Sequence, residues 1–563
     1  MAGTYLSKRK RNDHSLNFYA VTNIWNPEKK RQDKKQVFIG TFLNGHCRFN
    51  EKAIEYADLF KSTEYEHAYW LWRESREAEQ KQDCLVRQES IVDAEIKNAG
   101  LDLLLSHIAH NLKLDTLLER VFGENLAQRI LSLAYYCAFD GRQPLSRMSV
   151  WFEDQLLPWE HGFSLGMIEK TLVEITASEI LKFQQTWMKQ FPRDDRLSLD
   201  ITSVSSYSQN SIPDVSRGYN RDRENLPQIN LLMLVSQHSR LPLWFEQLPG
   251  AIADITTIKD TIRLLKELDD TPRSIVFDRG FADQDNITCL MDNHIKFTMG
   301  IPLWRFQEVR DEIDQARQEM LFNAPSSTLS LFEPDSVYQT QGITKLKKIN
   351  GHRVYLHLYY TDFYHSQTNL LLMQDLVRIE QMLKSGQELK RPTDIELAKK
   401  CFTVKNTPVR GIQVKENLEA IEQLRNSDSG YFAIYSTEFK DAEQAMFAYK
   451  LRDGIEKRFD DLKNEEDMHR IRVHSTHNLQ SRLFIQFIAQ ILRCSILSKL
   501  QSVEGGQLSK VQSVTDLLWN VASLRRVHVE GHRPFYKRPT KTQREIFTLF
   551  DIPMNTKAWP SML

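Results

Sequence analysis

The residues with the clearest capacity for chemistry lie in the stretch YKLRDGIEKRFDDLK, Tyr449 to Lys463. Its spacing predicts one helix. At 100° per residue, Tyr449, Arg452, Glu456 and Lys463 fall within about 60° of one another. An apolar stripe of Leu451, Ile455, Phe459 and Leu462 lies beside them. One flank can therefore pack on a core while its neighbour presents a phenol, a carboxylate and two cations. A carboxylate flanked by phosphate-binding cations suits metal-dependent phosphodiester chemistry. The plain alternative is a solvated face with charge pairs three and four residues apart.

Two further acids occupy defined elements. Asp200 sits within the strand RLSLDITSV, and Asp278 ends the strand SIVFDRG. Strand-end carboxylates in an open α/β sheet commonly point into a functional crevice. With Glu456 they make three hard oxygen donors, enough to hold two Mg2+ ions, with Mn2+ able to substitute. Such a site activates a water or a 3′-hydroxyl and stabilises the leaving oxygen of an in-line displacement. A strand carboxylate without a partner is costly to bury charged. Taken one at a time, each acid reads as a cap or a salt-bridge partner. Asp460 also falls on the polar stripe and is a rival ligand, whereas Asp283 and Asp285 read as helix N-terminal acids. His469, His474 and His477, with Arg470 and Arg472 between them, read as backbone, phosphate or plain surface contacts, since a zinc site would need tighter spacing.

The elements that must position these residues follow from periodicity. Residues 97–190 show apolar spacing of three and four and predict helices, the first being GLDLLLSHIAHNLKLDTLLERVFG. From Arg196 the texture changes. Three strands (RLSLDITSV, INLLMLVSQ, PLWFEQLPG) precede a helix over Ile252 to Leu268, the strand SIVFDRG, a helix and the strand KFTMGI. That order predicts an RNase H-like α/β domain. Residues 302–430 break the pattern and are too long for a loop, so they predict an inserted subdomain of β-rich, mixed character. GYFAIYSTE resumes the strands and leads into the Tyr449 stretch.

Composition sets bounds on partners. The 563 residues hold 74 Lys+Arg and 74 Asp+Glu, so any nucleic-acid contact must come from local patches. Two patches exist. Between Lys8 and Lys35 there are nine Lys/Arg against three acids, interleaved with Tyr19 and Trp25. Between Arg525 and Arg544 there are seven against Glu530. Six dispersed cysteines without a CxxC pair suggest reduced thiols. No secretory signal and no run of about 18 apolar residues is visible.

The stretch from Tyr449 fits the signature Y-x2-R-x3-E-x6-K without a departure, and in this it resembles a large group of bacterial insertion-sequence DDE transposases with a β-rich insertion before the final Glu. DITSV, from Asp200, looks like that family's first-Asp strand. GYNRDRENLPQINLLMLV, LPGAIADITTIKDTIRLL and IVFDRGFADQDNI resemble its following blocks, and HRIRVHSTHNLQSRLF the block after the Glu. The resemblance implies that Asp200, Asp278 and Glu456 are the catalytic metal ligands and that Tyr449, Arg452 and Lys463 contact DNA phosphates. It implies Mg2+-dependent cleavage and strand transfer at the terminal inverted repeats of the chain's own element. The partners would be double-stranded DNA (element ends and target) and a second copy in a synaptic homodimer, with no membrane, in a bacterial cytoplasm. The layout becomes a basic DNA-binding region over 1–95, a helical domain over 96–190, a catalytic core over 191–301 and 431–500 interrupted by the insertion, and a basic region over 501–563. Trp304 reads first as a core residue and second as a stacking platform for a flipped base, with Tyr431 and Phe432 weaker candidates. The other readings are a nuclease on the same fold without strand transfer, and a domesticated DNA-binding protein with an idle site.

Overall fold

The computed structural model describes residues 3–11, 15–27, 29–43, 46–77, 94–141, 143–206, 214–218, 226–251, 258–259, 262, 274–329, 340–408, 410–426, 428–452, 470–471, 476–502, 511–529 and 534–553. The chain divides into two compact units: residues 1–96 with 526–535, and residues 97–525 with 536–559.

The smaller unit is an antiparallel meander of β1 (Thr4–Lys10), β2 (Leu16–Asn26), β3 (Arg31–Leu43) and β4 (His46–Phe49), in that order across the sheet. One face buries Phe18, Ala20, Ile39 and Phe49 against Ala53, Phe60, Tyr65 and Tyr69. Those last residues come from the 3-10 helix Glu51–Phe60 and the helical segment 66–77 with the turn before it.

The larger unit begins with helices. The run from Gly100 makes two, α1 (Gly100–Asn111) and α2 (Leu114–Phe122), because Lys113 takes a left-handed φ of 56° between them. After α3 (Glu124–Asp140) come α4 (Leu165–Glu174) and α5 (Ala177–Met188). The last two are separated where Thr176 caps α5 in a reciprocal box with Glu179.

The central sheet then forms. Strands β5 (Leu197–Ser206), β6 (Gln228–Ser236) and β7 (Pro242–Pro249) pair antiparallel. β8 (Ile275–Phe277), helix α6 (Gln284–Asp292) and β9 (Phe297–Ile301) follow, and β8 lies parallel to both β5 and β9. Every residue of β5, β6, β8 and β9 is buried, as expected for strands covered on both faces. The helix expected over Ile252 to Leu268 lies mostly outside the described residues.

Helix α7 (Gln307–Gln318) leads to β10 (Thr340–Ile349) and β11 (His352–Thr361). These two strands, within the stretch read from sequence as one insertion, join the central sheet. The rest of that stretch holds α8 (Asp362–Lys384), α9 (Pro392–Cys401), the hairpin β12 (Phe402–Thr407) and β13 (Gly411–Glu416), and α10 (Leu418–Arg425). It has its own small core of Leu376, Ile379, Ala398, Cys401 and Phe402. β14 (Tyr431–Ser436) returns to the sheet between β11 and β9, giving the order β10-β11-β14-β9-β8-β5-β6-β7.

Helix α11 (Ala442–Leu451) crosses this sheet. It corrects the expectation of one helix starting at Tyr449: the start is at Ala442, where the Asp441 side chain accepts from the Gln444 amide. β15 (Arg470–Ile471) pairs parallel with the far end of β5. Helix α12 (Thr476–Gln501) and α13 (Val514–Ala522) close the unit. Although Gln, Ser and Arg residues interrupt it, so that no continuous apolar run occurs, α12 is by length and mean hydropathy (1.4) apolar enough to cross a membrane, and 72% of that window is buried inside the protein. It packs against α1, α3, α4, α5 and β7.

Candidate active site

The parallel registers create the site. Leu199 on β5 is level with Phe277 on β8, which is level with Met299 on β9. One residue further along stand Asp200, Asp278 and Gly300. Residues in one row of a parallel sheet share a face, so the two carboxylates emerge side by side. Asp278 lies just past the C-terminal end of β8, the edge where crevices open in α/β sheets.

Gly300 is the third member of the row and lacks a side chain for a steric reason. A Cβ there would lie 2.5 Å from the Tyr449 hydroxyl and 2.9 Å from its ring carbon Cζ. The phenol therefore lies over the glycine and donates to Asp278 Oδ1 at 3.2 Å. Burial, and then the Asp278 charge, push the Tyr449 hydroxyl well above the usual phenol range, so it remains a donor.

Helix α11 delivers that phenol. Its sheet-facing residues Ala442, Ala445, Met446 and Ala448 are buried and mostly small, which permits close approach. Gln237 fixes the helix end by donating to both the Ser198 hydroxyl of β5 and the Ala448 carbonyl, each at 2.9 Å.

Arg452 follows α11. Its side chain is 6% exposed, with Nη1 at 3.8 Å from Asp200 Oδ2 and Nη2 at 3.5 Å from Asp278 Oδ1. One guanidinium thus faces both acids. Asp200, 2% exposed, is held on its other oxygen by the Ile201 amide at 2.8 Å. A cleft of about 790 Å³ opens beside this group, lined among others by Asp278, Gly300, Tyr449, Arg452, Trp304 and Tyr431.

Asp200, Asp278, Tyr449 and Arg452 are therefore brought together, while Glu456, Lys463 and Asp460 lie outside the described residues, as do His469 and His474. Among the described residues, no group of three or more His, Cys, Asp or Glu side chains gathers as a metal cage. His477 pairs its Nε2 with the Val173 carbonyl at 2.9 Å. Asp283 caps α6, accepting from the Asp285 amide at 3.0 Å. The core reading of Trp304 is corrected: it is 72% exposed on the cleft wall, with the Arg305 guanidinium 4.6 Å from its ring centre. It follows Pro302 in a turn, where no second layer covers it. Gly300 and Gln237 were missed from sequence. A glycine inside the apolar strand KFTMGI was a usable signal of close backbone approach; nothing local marks Gln237.

A solved piggyBac transposase synaptic complex with hairpin DNA aligns over 82% of this chain and 81% of its own, at 10% identity and a TM-score of 0.33. No curated protein matches the chain. The family model described as the transposase DDE domain matches residues 192–492, more than half of the sequence and the whole of the site above. The chain belongs to the DDE transposase family.

Proposed function

We propose that this transposase binds the terminal inverted repeats of its own element, cleaves DNA there with Mg2+, and joins the freed ends to target DNA by a cut-and-paste route. The observation that carries the reading is the paired placement of Asp200 and Asp278, level on neighbouring parallel strands and facing one cation. The strand order, three antiparallel strands followed by two parallel ones, supports an RNase H-like core. The guanidinium between the carboxylates supports the fit of divalent metal: a cation already sits within 4 Å of both acids. Asp200 and Asp278 would hold the metal, with Glu456 the third donor. When bound, Mg2+ ions lower the pKa of the attacking water or 3′-hydroxyl and stabilise the leaving oxygen.

The chain's own groups then divide the remaining work. Tyr449 orients Asp278 through its hydrogen bond, and Arg452 and Lys463 would contact successive phosphates near the element end. Trp304, open on the cleft wall, supplies the aromatic face that a displaced base would use. Both chemical steps are displacements at phosphorus, so one site serves both. Bringing two ends together implies a dimer on DNA, acting at the bacterial nucleoid.

The test is incubation with labelled element-end DNA, target DNA and Mg2+, resolving nicks, hairpins and joined products. Asp200→Asn, Asp278→Asn and Glu456→Gln should each lower cleavage at least about a thousandfold while leaving end binding within a few-fold. Cleavage retained in any one removes that residue from the site. Cleaved but never joined products would replace transposition with plain nuclease activity.

A further inference from the structure

In the smaller unit, β1 pairs with β2 only as far as Thr22, and β4 pairs with β3 only from Gly40 to Leu43. Beyond these limits β2 and β3 continue as a two-stranded ribbon with four rungs: Asn23 with Lys34, Ile24 with Asp33, Trp25 with Gln32 and Asn26 with Arg31. No other strand of that sheet covers it. A free ribbon of this kind normally carries polar residues on both faces. This one instead holds Trp25 at 60% exposure and an exposed Ile24.

Its charge is one-sided. The 14 residues from Asn23 to Gln36 contain Lys29, Lys30, Arg31, Lys34 and Lys35 against Glu28 and Asp33. The two faces differ. On one, Asp33 is occupied within the ribbon, accepting from Asn26 Nδ2 at 2.8 Å and Arg31 Nε at 3.2 Å. That network stiffens the tip, where Lys30 takes a left-handed φ of 46°. On the other face stand Trp25, Gln32 and Lys34, all exposed, with Lys35 on the opposite side of the same strand.

We propose that the β2–β3 ribbon is a DNA-reading arm that lies in the major groove of duplex DNA. The inference rests on the transposase reading and assigns one of its DNA contacts to a particular element. The dimensions fit: strands of a ribbon lie about 4.8 Å apart, and a groove about 12 Å wide admits two strands. Lys34 and Lys35 are neighbours on β3, one towards the groove floor and one away from it, so both reach phosphates of the groove wall beside that strand. Trp25 and Gln32 share the face that meets base edges; a glutamine amide can pair with adenine in the groove, and the indole contacts thymine methyls. Charge complementarity chooses DNA over an apolar protein partner, because five cations surround the two apolar side chains.

The experiment measures binding of the full chain to two short fluorescent duplexes, the element's own end and a scrambled version of equal composition, across a salt series. The double variant Lys34→Ala/Lys35→Ala should weaken binding to both duplexes about equally and flatten the slope of log affinity against log salt by about 2. Trp25→Ala should leave that slope unchanged and cut the preference for the end duplex about tenfold. All three side chains are exposed, so matched thermal melts should accompany these changes. Wild-type-like binding by both variants, with the parent still selecting the end duplex, overturns the ribbon assignment and leaves the transposase reading intact. A parent chain that binds neither duplex overturns both.

Discussion

Gly300 shows how much of the site depends on an absent side chain. Its Cα sits level with Asp200 and Asp278, and the Tyr449 ring fills the space a methyl group would take. Gly300→Ala forces that ring away from Asp278 or bends β9, at a cost of about 1–3 kcal/mol in a packed region. Cleavage should fall at least about tenfold as the Tyr449 hydrogen bond to Asp278 is lost. Adding Tyr449→Phe removes the closest clash but leaves the ring carbon Cζ at 2.9 Å, so the double variant should regain part of the lost stability but not the activity. Equal melting temperatures for Gly300→Ala and the parent would mean the ring moves aside freely. At this scale the sequence was informative where chemistry and period coincide. Asp200 and Asp278 stand out as acids in apolar strands. Trp304 misled because its neighbours Leu303 and Phe306 are packed, and a sequence does not show which member of an apolar turn stays outside.

At the scale of elements, the strands were the most legible part. β5, β6, β7, β8 and β9 fall close to where alternating and continuous apolar runs place them, because burial on both faces leaves an unmistakable composition. Helix starts were harder to read. The start of α11 at Ala442 was not read, because Ala442, Ala445 and Ala448 carry little helical amphipathicity and only the Asp441 cap marks the boundary. The extension of the sheet by β10 and β11 was not legible at all, since strand partners far apart in sequence leave no local trace. That extension has a consequence for pH. His357 on β11 is fully buried between β10 and β14, its Nε2–H donating to the Phe439 carbonyl at 3.2 Å and its Nδ1 accepting from the Thr344 hydroxyl at 2.8 Å. Burial depresses it from 6.5 to about 4, against weaker opposing effects of the Phe439 carbonyl and Asp441. Between those values the unfolded chain binds a proton the folded chain does not. Stability is therefore fully present above about pH 6.5 and declines as pH falls towards 4, by up to about 3 kcal/mol. Denaturant titrations at pH 7 and 5 should show this loss, and His357→Gln should flatten it. An unchanged pH slope in the variant would place the loss elsewhere.

At the scale of the whole molecule, α12 explains why the larger unit folds as one body. It buries its length among the N-terminal helices and reaches β7, so the helices and the sheet share a single continuous core. Its span-like hydropathy is the signature of a helix surrounded by protein on most sides. The guanidinium of Arg452 has a whole-molecule consequence of its own. Two neighbouring carboxylates, one of them almost fully buried, would repel each other and resist folding if left alone. By lodging a positive charge beside both, the chain carries its own counter-ion and need not wait for a metal to fold. Chelation should accordingly leave the melting temperature of the parent within about 1 °C, unlike proteins whose metal is part of the folding reaction. Arg452→Gln should make the melting temperature depend on added Mn2+. A parent destabilised by chelator would show that metal, not arginine, balances the acids. With Arg452 balancing both acids, the transposase is a protein assembled independently of metal supply, in which an arriving ion would have to compete with a resident side chain.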